Sequence, residues 1–254
     1  MLKYLFVLLV VTGALPKYLK AQSVPAMQLD RPSQSECPFI TPQHFLQIEN
    51  GFNLEHIDAN QRALYLPSTL WKFGLNEKFE FRLITEFLSL KKNAISTSGL
   101  LPITLGFKTA LFEEKGIIPK TSFSGYIGTS KLGSKIFQSQ FIVPSFKFLM
   151  QHTLSKNISL AYNLGAEWNG KNAQQTYLYT LNTGISLSSK LACYAEIYGS
   201  LPAKDSPTHA CDGGFTYAIS DNFIVDLSAG VTLSSNAANN YLALGLSYRW
   251  NTKK

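Results

Sequence analysis

The final part of the chain, residues 212–250, alternates apolar residues with small or polar ones in three successive runs. In the last run the apolar positions are Leu242, Leu244, Leu246, Tyr248 and Trp250. Because successive side chains of a β-strand point to opposite faces, each run predicts a strand with one apolar face and one small, polar face. A tight turn at 220–222 and a longer loop at 234–240 join the three strands. This alternation of turn and loop is typical of an up-and-down barrel in an outer membrane.

The same pattern predicts nine further strands upstream. They span 43–55, 63–75, 79–90, 99–112, 121–130, 140–154, 158–168, 176–187 and 191–201. The predicted fold class is therefore all-β: a transmembrane, antiparallel, up-and-down β-barrel of about twelve strands over residues 43–250. Ten or fourteen strands remain open at this stage, because the glycine-rich run 121–130 alternates most weakly. An even number of strands would place both ends of the barrel in the periplasm.

A soluble barrel or sandwich would also alternate, but two features favour the membrane. The polar parity is small and holds few lysines; it includes Gly165, Gly184, Gly214, Gly230 and Gly245. The apolar parity ends in aromatic residues near the strand termini, as the interfacial girdle of a membrane barrel does. These aromatic residues are Trp71, Trp168, Tyr248 and Trp250.

Residues 1–22 are predicted to form a secretory signal peptide. Lys3 precedes a short apolar run, 4–15, and the small residue Ala21 follows, so cleavage is expected near Ala21 or Gln22. A membrane anchor is the alternative, although the run is shorter than the roughly 20 apolar residues of a spanning helix. Residues 23–42 contain four prolines and are predicted to form a periplasmic segment outside any strand. Residues 251–254 form a short C-terminal tail.

Composition narrows the class of protein further. Only 15% of residues are charged, against about 25% in a typical soluble domain. The formal net charge of +7 is spread along the chain, so the sequence does not predict a nucleic-acid-binding protein. The expected location is the outer membrane of a Gram-negative bacterium, with outer-membrane lipid and, through the C-terminal strand, the barrel-assembly machinery as partners.

Short motifs at both ends of the chain carry a resemblance to a known family. Ahead of the first strand stand Asp30, Arg31, Pro32, Glu36 and Pro38; near the C-terminus stand the runs 226–230 and 245–250. With these motifs the chain resembles the phenol meta-pathway degradation family of outer-membrane β-barrel transporters. Cys37 occupies a position where that family is expected to have serine, and residues 251–254 extend past the usual terminal aromatic residue. The resemblance implies an outer-membrane barrel and offers no active site to carry over.

The sequence predicts no catalytic residues, no metal site and no cofactor. The four histidines, His44, His56, His152 and His209, lack the spacing of metal ligands. No motif for a catalytic nucleophile accompanies the abundant serines. Cys193 and Cys211 flank one outer loop, where either a disulfide or two free thiols would be compatible with the pattern, and Cys37 then has no partner.

The charged residues on the polar parity are the candidates for a functional lumen. They are Glu49, Lys72, Glu80, Arg82, Glu86, Lys108, Lys147, Glu167, Glu196, Asp226 and Arg249. One interpretation is a structural network of ion pairs that fills the lumen, since unpaired charges there would be costly. The other is a constriction that selects solutes. The preceding segment is either a solvated linker or a partial plug in which Arg31 and Glu36 pair with lumen charges.

Two functions follow from these alternatives. The first is a transporter or channel for small solutes, including apolar or aromatic ones, whose identity the sequence does not reveal. The second is a structural or adhesive outer-membrane barrel with a plugged lumen. Whether the lumen is open distinguishes the two.

Overall fold

The computed structural model describes residues 24–234 and 239–253. Thirteen strands are present: β1 Phe45–Asp58, β2 Gln61–Asn76, β3 Phe79–Lys92, β4 Ile95–Leu100, β5 Thr104–Phe112, β6 Lys120–Gly128, β7 Val143–Thr153, β8 Ile158–Trp168, β9 Gln175–Ser186, β10 Leu191–Pro202, β11 Thr208–Ser220, β12 Phe223–Thr232 and β13 Asn240–Asn251. A single turn of 3-10 helix covers Lys135–Phe137. Over these ranges no helix is long and apolar enough to cross a membrane. The predicted signal peptide and its cleavage site lie outside the described residues.

The strands close into an antiparallel barrel with twelve strand positions, as predicted. Neighbours in sequence pair with each other around the sheet, and β13 pairs with β1 to close it. Strands β4 and β5 share one position, because each pairs with a different part of β3. The weakly alternating run 121–130 does supply a strand, β6, which pairs with both β5 and β7.

The predicted strand 99–112 is divided in the structure. Pro102 lies at the interruption and has no N–H group to donate to a neighbouring strand. The N–H of Leu101 still donates to the Glu86 carbonyl at 2.8 Å, whereas that of Ile103 donates to the Leu132 carbonyl, in a loop, at 2.9 Å. The proline thus separates β4 from β5.

The two faces of the wall differ as the alternation predicts. On β13, Leu242 and Leu244 point outward and are about half exposed, whereas Ser247 and Arg249 point inward and are buried. Polar and charged side chains therefore fill the interior, and apolar side chains cover the exterior. This arrangement is the reverse of a soluble protein and is typical of a barrel surrounded by lipid.

The barrel has a lower end, where β1 begins and β13 ends, and an upper end opposite. Connections at the lower end are 77–78, 113–119, 154–157, 187–190 and 221–222; those at the upper end are 59–60, 93–94, 129–142, 169–174, 203–207 and, of the link between β12 and β13, the described residues 233, 234 and 239. The longest upper loop, 129–142, folds against β4, where the Leu100 N–H donates to the Ser134 hydroxyl at 2.9 Å. This loop narrows the upper opening on the β4 side.

Residues 27–42 lie inside the barrel, and the exposed residues 24–26 precede them at its lower end. Asp30, Ser35 and Thr41 are buried, and the segment bonds to strands on all sides of the wall. The sequence predicts a periplasmic segment here and leaves open whether it is a linker or a plug. For residues 27–42 the structure shows a chain that occupies the lumen.

A substitution pair tests which face of the wall meets lipid. Leu244→Arg is expected to destabilise the inserted barrel by about 2–4 kcal/mol, because its outward side chain would lie in the hydrocarbon region. Thr216→Arg should insert normally, because Thr216 points into the lumen beside a cavity. Membrane fractionation and mobility on unboiled gels measure insertion; equal defects in the two variants would contradict the assignment of faces.

Candidate functional site

Eight acidic and basic side chains meet in the lower half of the lumen; we call them the buried charge cluster. Its acids are Asp30, Glu36, Glu49 and Glu80, and its bases are Lys72, Arg82, Lys108 and Lys147. Asp30 and Glu36 belong to the N-terminal segment, and the other six belong to the wall between β1 and β7. The cluster therefore joins the segment to one side of the barrel.

Asp30 lies at the centre of the cluster. Its carboxylate accepts from the Lys72 ammonium at 3.1 Å, from the Lys108 ammonium at 2.9 Å and from the Arg82 guanidinium. Its backbone N–H donates to the Glu49 carboxylate at 3.0 Å. A buried carboxylate is costly unless it is paired and hydrogen-bonded, and Asp30, at 6% exposure, meets both conditions.

Glu36 makes the second set of bonds to the same wall. Its carboxylate pairs with Arg82 at 2.5 Å and with Lys147 at 3.0 Å, and it accepts from the Tyr126 hydroxyl at 2.7 Å. Its backbone N–H donates to the side-chain oxygen of Asn163 at 2.7 Å. Both ends of this residue are thus fixed to the barrel.

The cluster is balanced in charge only when the segment is included. The wall supplies four bases but only two acids, Glu49 and Glu80. Asp30 and Glu36 supply the two missing negative charges. Unpaired buried charges cost several kcal/mol each. The barrel wall therefore needs the segment to neutralise its buried cations.

The opposite wall bonds to the segment in a different way. The Arg31 guanidinium pairs with Asp226 at 3.3 Å, and the carbonyl of Pro25 accepts from Arg249 at 3.0 Å. Glu196 accepts from the backbone N–H groups of Gln34 and Ser35 at 2.7 and 2.8 Å. On this side, carboxylates of the wall meet a cation and N–H donors of the segment.

The cations of the wall keep the segment's carboxyl groups ionised. Burial raises the pKa of Glu36, but the charges of Lys147 and Arg82 outweigh burial and lower that pKa to about 2. Burial also raises the pKa of Asp30, and the charges of Arg82, Lys108 and Lys72 bring this pKa well below its ordinary value. The ion pairs are therefore formed at neutral pH.

Nine of the eleven predicted lumen residues touch the segment or its charge cluster. The two exceptions are Glu86, which accepts from the Ser68 hydroxyl at 2.7 Å, and Glu167, which is exposed. Both are on the predicted parity but lie nearer the upper end than Glu80 and Lys147 do.

Of the motif prolines, Pro38 is fully buried, and its carbonyl accepts from the Ser122 hydroxyl at 2.6 Å. Pro32 lines a cavity below the segment.

Sequence reasoning missed three residues that bind the segment or form part of it. Tyr126 links Arg82 to Glu36 from the glycine-rich strand β6, where no face could be assigned. Ser35 donates to Glu196 at 2.5 Å and lies as close to the Thr180 hydroxyl. Asn163 is on the polar parity but carries no charge. A search that included neutral polar residues on that parity would have found Asn163.

Below the segment lies a cavity of about 420 Å³ against strands β8–β12. Its lining includes Ser159, Asn182, Ser186, Tyr194 and Thr216, and segment residues 31–33 and 35–37 also border it. The cavity lining thus mixes hydroxyl and amide groups with apolar side chains such as Ile185 and Leu191. The segment lies between this cavity and the upper half of the lumen.

The cysteines are free thiols in the structure. Cys193 pairs across strands with Phe215, and Cys211 pairs with Ile197, so the two cysteines are offset by four residues. This register excludes a disulfide between them.

In residues 24–234 and 239–253, no three His, Cys, Asp or Glu side chains are grouped to hold a metal ion.

Asp30→Asn tests the contribution of the central carboxylate to stability. The variant leaves Lys72, Arg82 and Lys108 short of one negative charge, so we expect a loss of about 3–5 kcal/mol in the free energy of unfolding. Asp205→Asn, in an exposed upper loop, is the matched control and should change little. Urea unfolding in detergent measures both; a loss below 1 kcal/mol for Asp30→Asn would contradict the assignment.

The lowered pKa of Glu36 predicts how its contribution depends on pH. A carboxyl group whose pKa is lower in the folded state stabilises that state above its unfolded pKa of 4.5 and loses this effect as pH falls towards 2. The stability difference between wild type and Glu36→Gln should thus be constant from about pH 5 to 7 and shrink below about 4.5. Urea midpoints across pH test this, with Glu77→Gln as an exposed control; a difference that grows in acid would contradict it.

Comparisons with known proteins agree with this architecture. A family model described as "Putative MetA-pathway of phenol degradation" matches residues 29–250. An outer membrane channel from Pseudomonas putida F1 superposes with a TM-score of 0.66 at 9% identity, over 84% of this chain and 97% of that one. The NanC porin gives 0.54 at 8% identity, over 80% and 98%. The KdgM porin gives 0.52 at 11% identity, over 79% and 98%. A search of curated proteins found no match.

Proposed function

We propose that this chain, which belongs to the MetA-pathway of phenol degradation family, forms a gated outer-membrane passage for small neutral solutes, including apolar and aromatic ones. The observation that carries this proposal is the cavity against β8–β12, which is closed from above by a segment of the chain. A solute would pass when the segment moves away from that wall.

The size of the lumen supports a narrow passage. Eight-stranded barrels are filled by side chains, whereas barrels of about sixteen strands hold open channels. With twelve positions this barrel lies between them, and its segment takes up part of the space. The remaining cavity, about 420 Å³, falls in the range of about 300–1,000 Å³ that holds drug-sized ligands.

The distribution of charge supports neutral solutes over ions. The charges of the buried charge cluster are paired with each other, so they give the passage no strong sign. The cavity lining is mostly uncharged, and its four charged residues, Arg31, Glu36, Lys190 and Asp221, comprise two bases and two acids. Such a surface can hydrogen-bond to a hydroxyl group without attracting bulk ions.

The preference for aromatic solutes rests on two further points. Tyr194 borders the cavity, and Tyr198 lies one lumen-facing position above Glu196 on the same strand. Tyrosine rings offer apolar faces and edge contacts to another ring. The family's name refers to phenol degradation, which agrees with a single-ring solute bearing a hydroxyl group.

The proposal includes the route by which the protein reaches its site. It is secreted into the periplasm of a Gram-negative bacterium with cleavage near Ala21 or Gln22. The barrel-assembly machinery engages strand β13, and the lower end then faces the periplasm. The short lower turns and the outward aromatic residue Tyr248 near that end agree with this orientation.

A plugged structural or adhesive barrel is the second candidate. It is favoured by the number of ion pairs that hold the segment to the wall. In this case the segment would never move, and nothing would cross the barrel.

A removable crosslink distinguishes the two candidates. The Ser35 and Thr180 hydroxyl oxygens are 2.5 Å apart, so Ser35→Cys with Thr180→Cys is positioned to form a disulfide that holds the segment against β9. Cys37, Cys193 and Cys211 are replaced by serine in the same protein, and that triple variant alone is the control. We expect the uptake of phenol and small sugars in excess of that by protein-free liposomes to stop on oxidation and return on reduction, with the control unaffected. If neither redox form nor the control exceeds protein-free liposomes, the plugged barrel is correct.

A further inference from the structure

Two basic side chains face each other on the outer surface near the upper end. Arg62 of β2 is the direct cross-strand partner of Lys91 of β3. Both point outward: Arg62 shares a parity with Leu64, which pairs with the outward, 40% exposed Leu54. Both basic residues are exposed.

This pair has no acidic partner within the described part of the chain. Neither Arg62 nor Lys91 takes part in any of the ion pairs there. The nearby acid Asp58, at the hairpin tip, instead accepts from the Asn60 N–H at 2.7 Å. Like charges placed directly opposite each other on a sheet repel, so the pair favours an external anion between or above the two side chains.

The height of the pair identifies where that anion would come from. One outward row below, Leu54 and Leu64 begin the apolar belt beside Ser89 and Ser98 of β3 and β4, and above lies the hairpin connection 59–60. Arg62 and Lys91 therefore lie at the boundary between hydrocarbon and water, the level of lipid headgroups. Their neighbours in the same row, His56 and Ser96, can also donate hydrogen bonds.

The charge at this end differs from that at the other end of the same strands. The exposed charges of the upper end on this side are Arg62, Lys91, Lys92, Lys131 and Lys135 against Asp58. The lower turn between β2 and β3 instead carries one acid and one base, Glu77 and Lys78. The excess of positive charge is thus found towards the leaflet that the upper end meets.

We propose that Arg62 and Lys91 form a binding site for the phosphate groups of lipopolysaccharide in the outer leaflet. The planar guanidinium of Arg62 can bind two phosphate oxygens at once, and the ammonium of Lys91 adds a mobile point charge. Clusters of basic residues at a membrane surface bind anionic headgroups in this way. The site is on the outside of the barrel and does not depend on what crosses the lumen.

The test uses the purified barrel with bisphosphorylated lipid A as the probe. Native mass spectrometry in detergent gives the affinity of wild type, of Arg62→Gln with Lys91→Gln, and of Lys171→Gln with Lys204→Gln as a control in other upper loops. We expect the first double variant to bind at least fivefold more weakly and the control to bind as wild type does. Heat-modified mobility on gels verifies that each variant is folded.

Two further arms identify the source of the phosphate. Dephosphorylated lipid A should bind wild type as weakly as bisphosphorylated lipid A binds the double variant. Free inorganic phosphate should not displace lipid A, because it lacks the acyl chains that would lie along Leu54 and Leu64. Equal affinities of wild type and the double variant for lipid A, or equal binding of both lipid forms to wild type, would overturn the proposal. Displacement by inorganic phosphate would overturn it in favour of a simple anion site.

Discussion

The structure depends on a surplus of positive charge inside the barrel wall. Lys72, Arg82 and Lys108 converge on a confined volume that water cannot fill freely, and Lys147 lies beside them. Two wall carboxylates are too few to neutralise four cations, and an unpaired charge in such a place would be costly. The N-terminal segment supplies the missing negative charges. The need for these charges accounts for its position in the lumen. The barrel and residues 24–42 are therefore one electrostatic unit.

The segment is held unequally on its two sides, and this asymmetry matters for function. Towards β2–β7 its two carboxylates, those of Asp30 and Glu36, each meet at least two cations of the wall. Towards β9–β12 it makes one ion pair, Arg31 with Asp226, and its other bonds there are hydrogen bonds, such as those from Gln34 and Ser35 to Glu196. The cavity borders this second, simpler side. A movement that opened the lumen would break fewer charged contacts there, and the paired charges opposite would keep the segment attached while it moved.

Period-two alternation predicted the barrel, its number of strand positions and its faces, because a strand has only two faces and lipid selects one of them. Alternation could not predict how far along the barrel axis a residue lies, or which residues of adjacent strands pair with each other. Glu80 and Glu86 share a parity, yet only Glu80 belongs to the buried charge cluster, because two inward positions, Arg82 and Ile84, lie between them along β3. Cys193 and Cys211 lie on adjacent strands, yet the register offsets them by four residues. The N-terminal segment lies where it does because of charges on strands that are far apart in sequence. Alternation within each strand does not show that these charges come together.

Basic residues on both faces of the wall need an anion to neutralise them, but the anion comes from a different source on each face. Inside, the basic side chains of the cluster are buried, and the chain itself supplies carboxylates to them with Asp30 and Glu36. Outside, near the upper end, Arg62 and Lys91 repel each other and have no such partner among the described residues, yet they border a membrane. There a headgroup phosphate can neutralise the basic side chains and accept their hydrogen bonds, as a carboxylate does in the lumen, because both are anions with oxygen acceptors. The distribution of acids along this chain thus indicates where its neutralising charge is built in and where the membrane provides it.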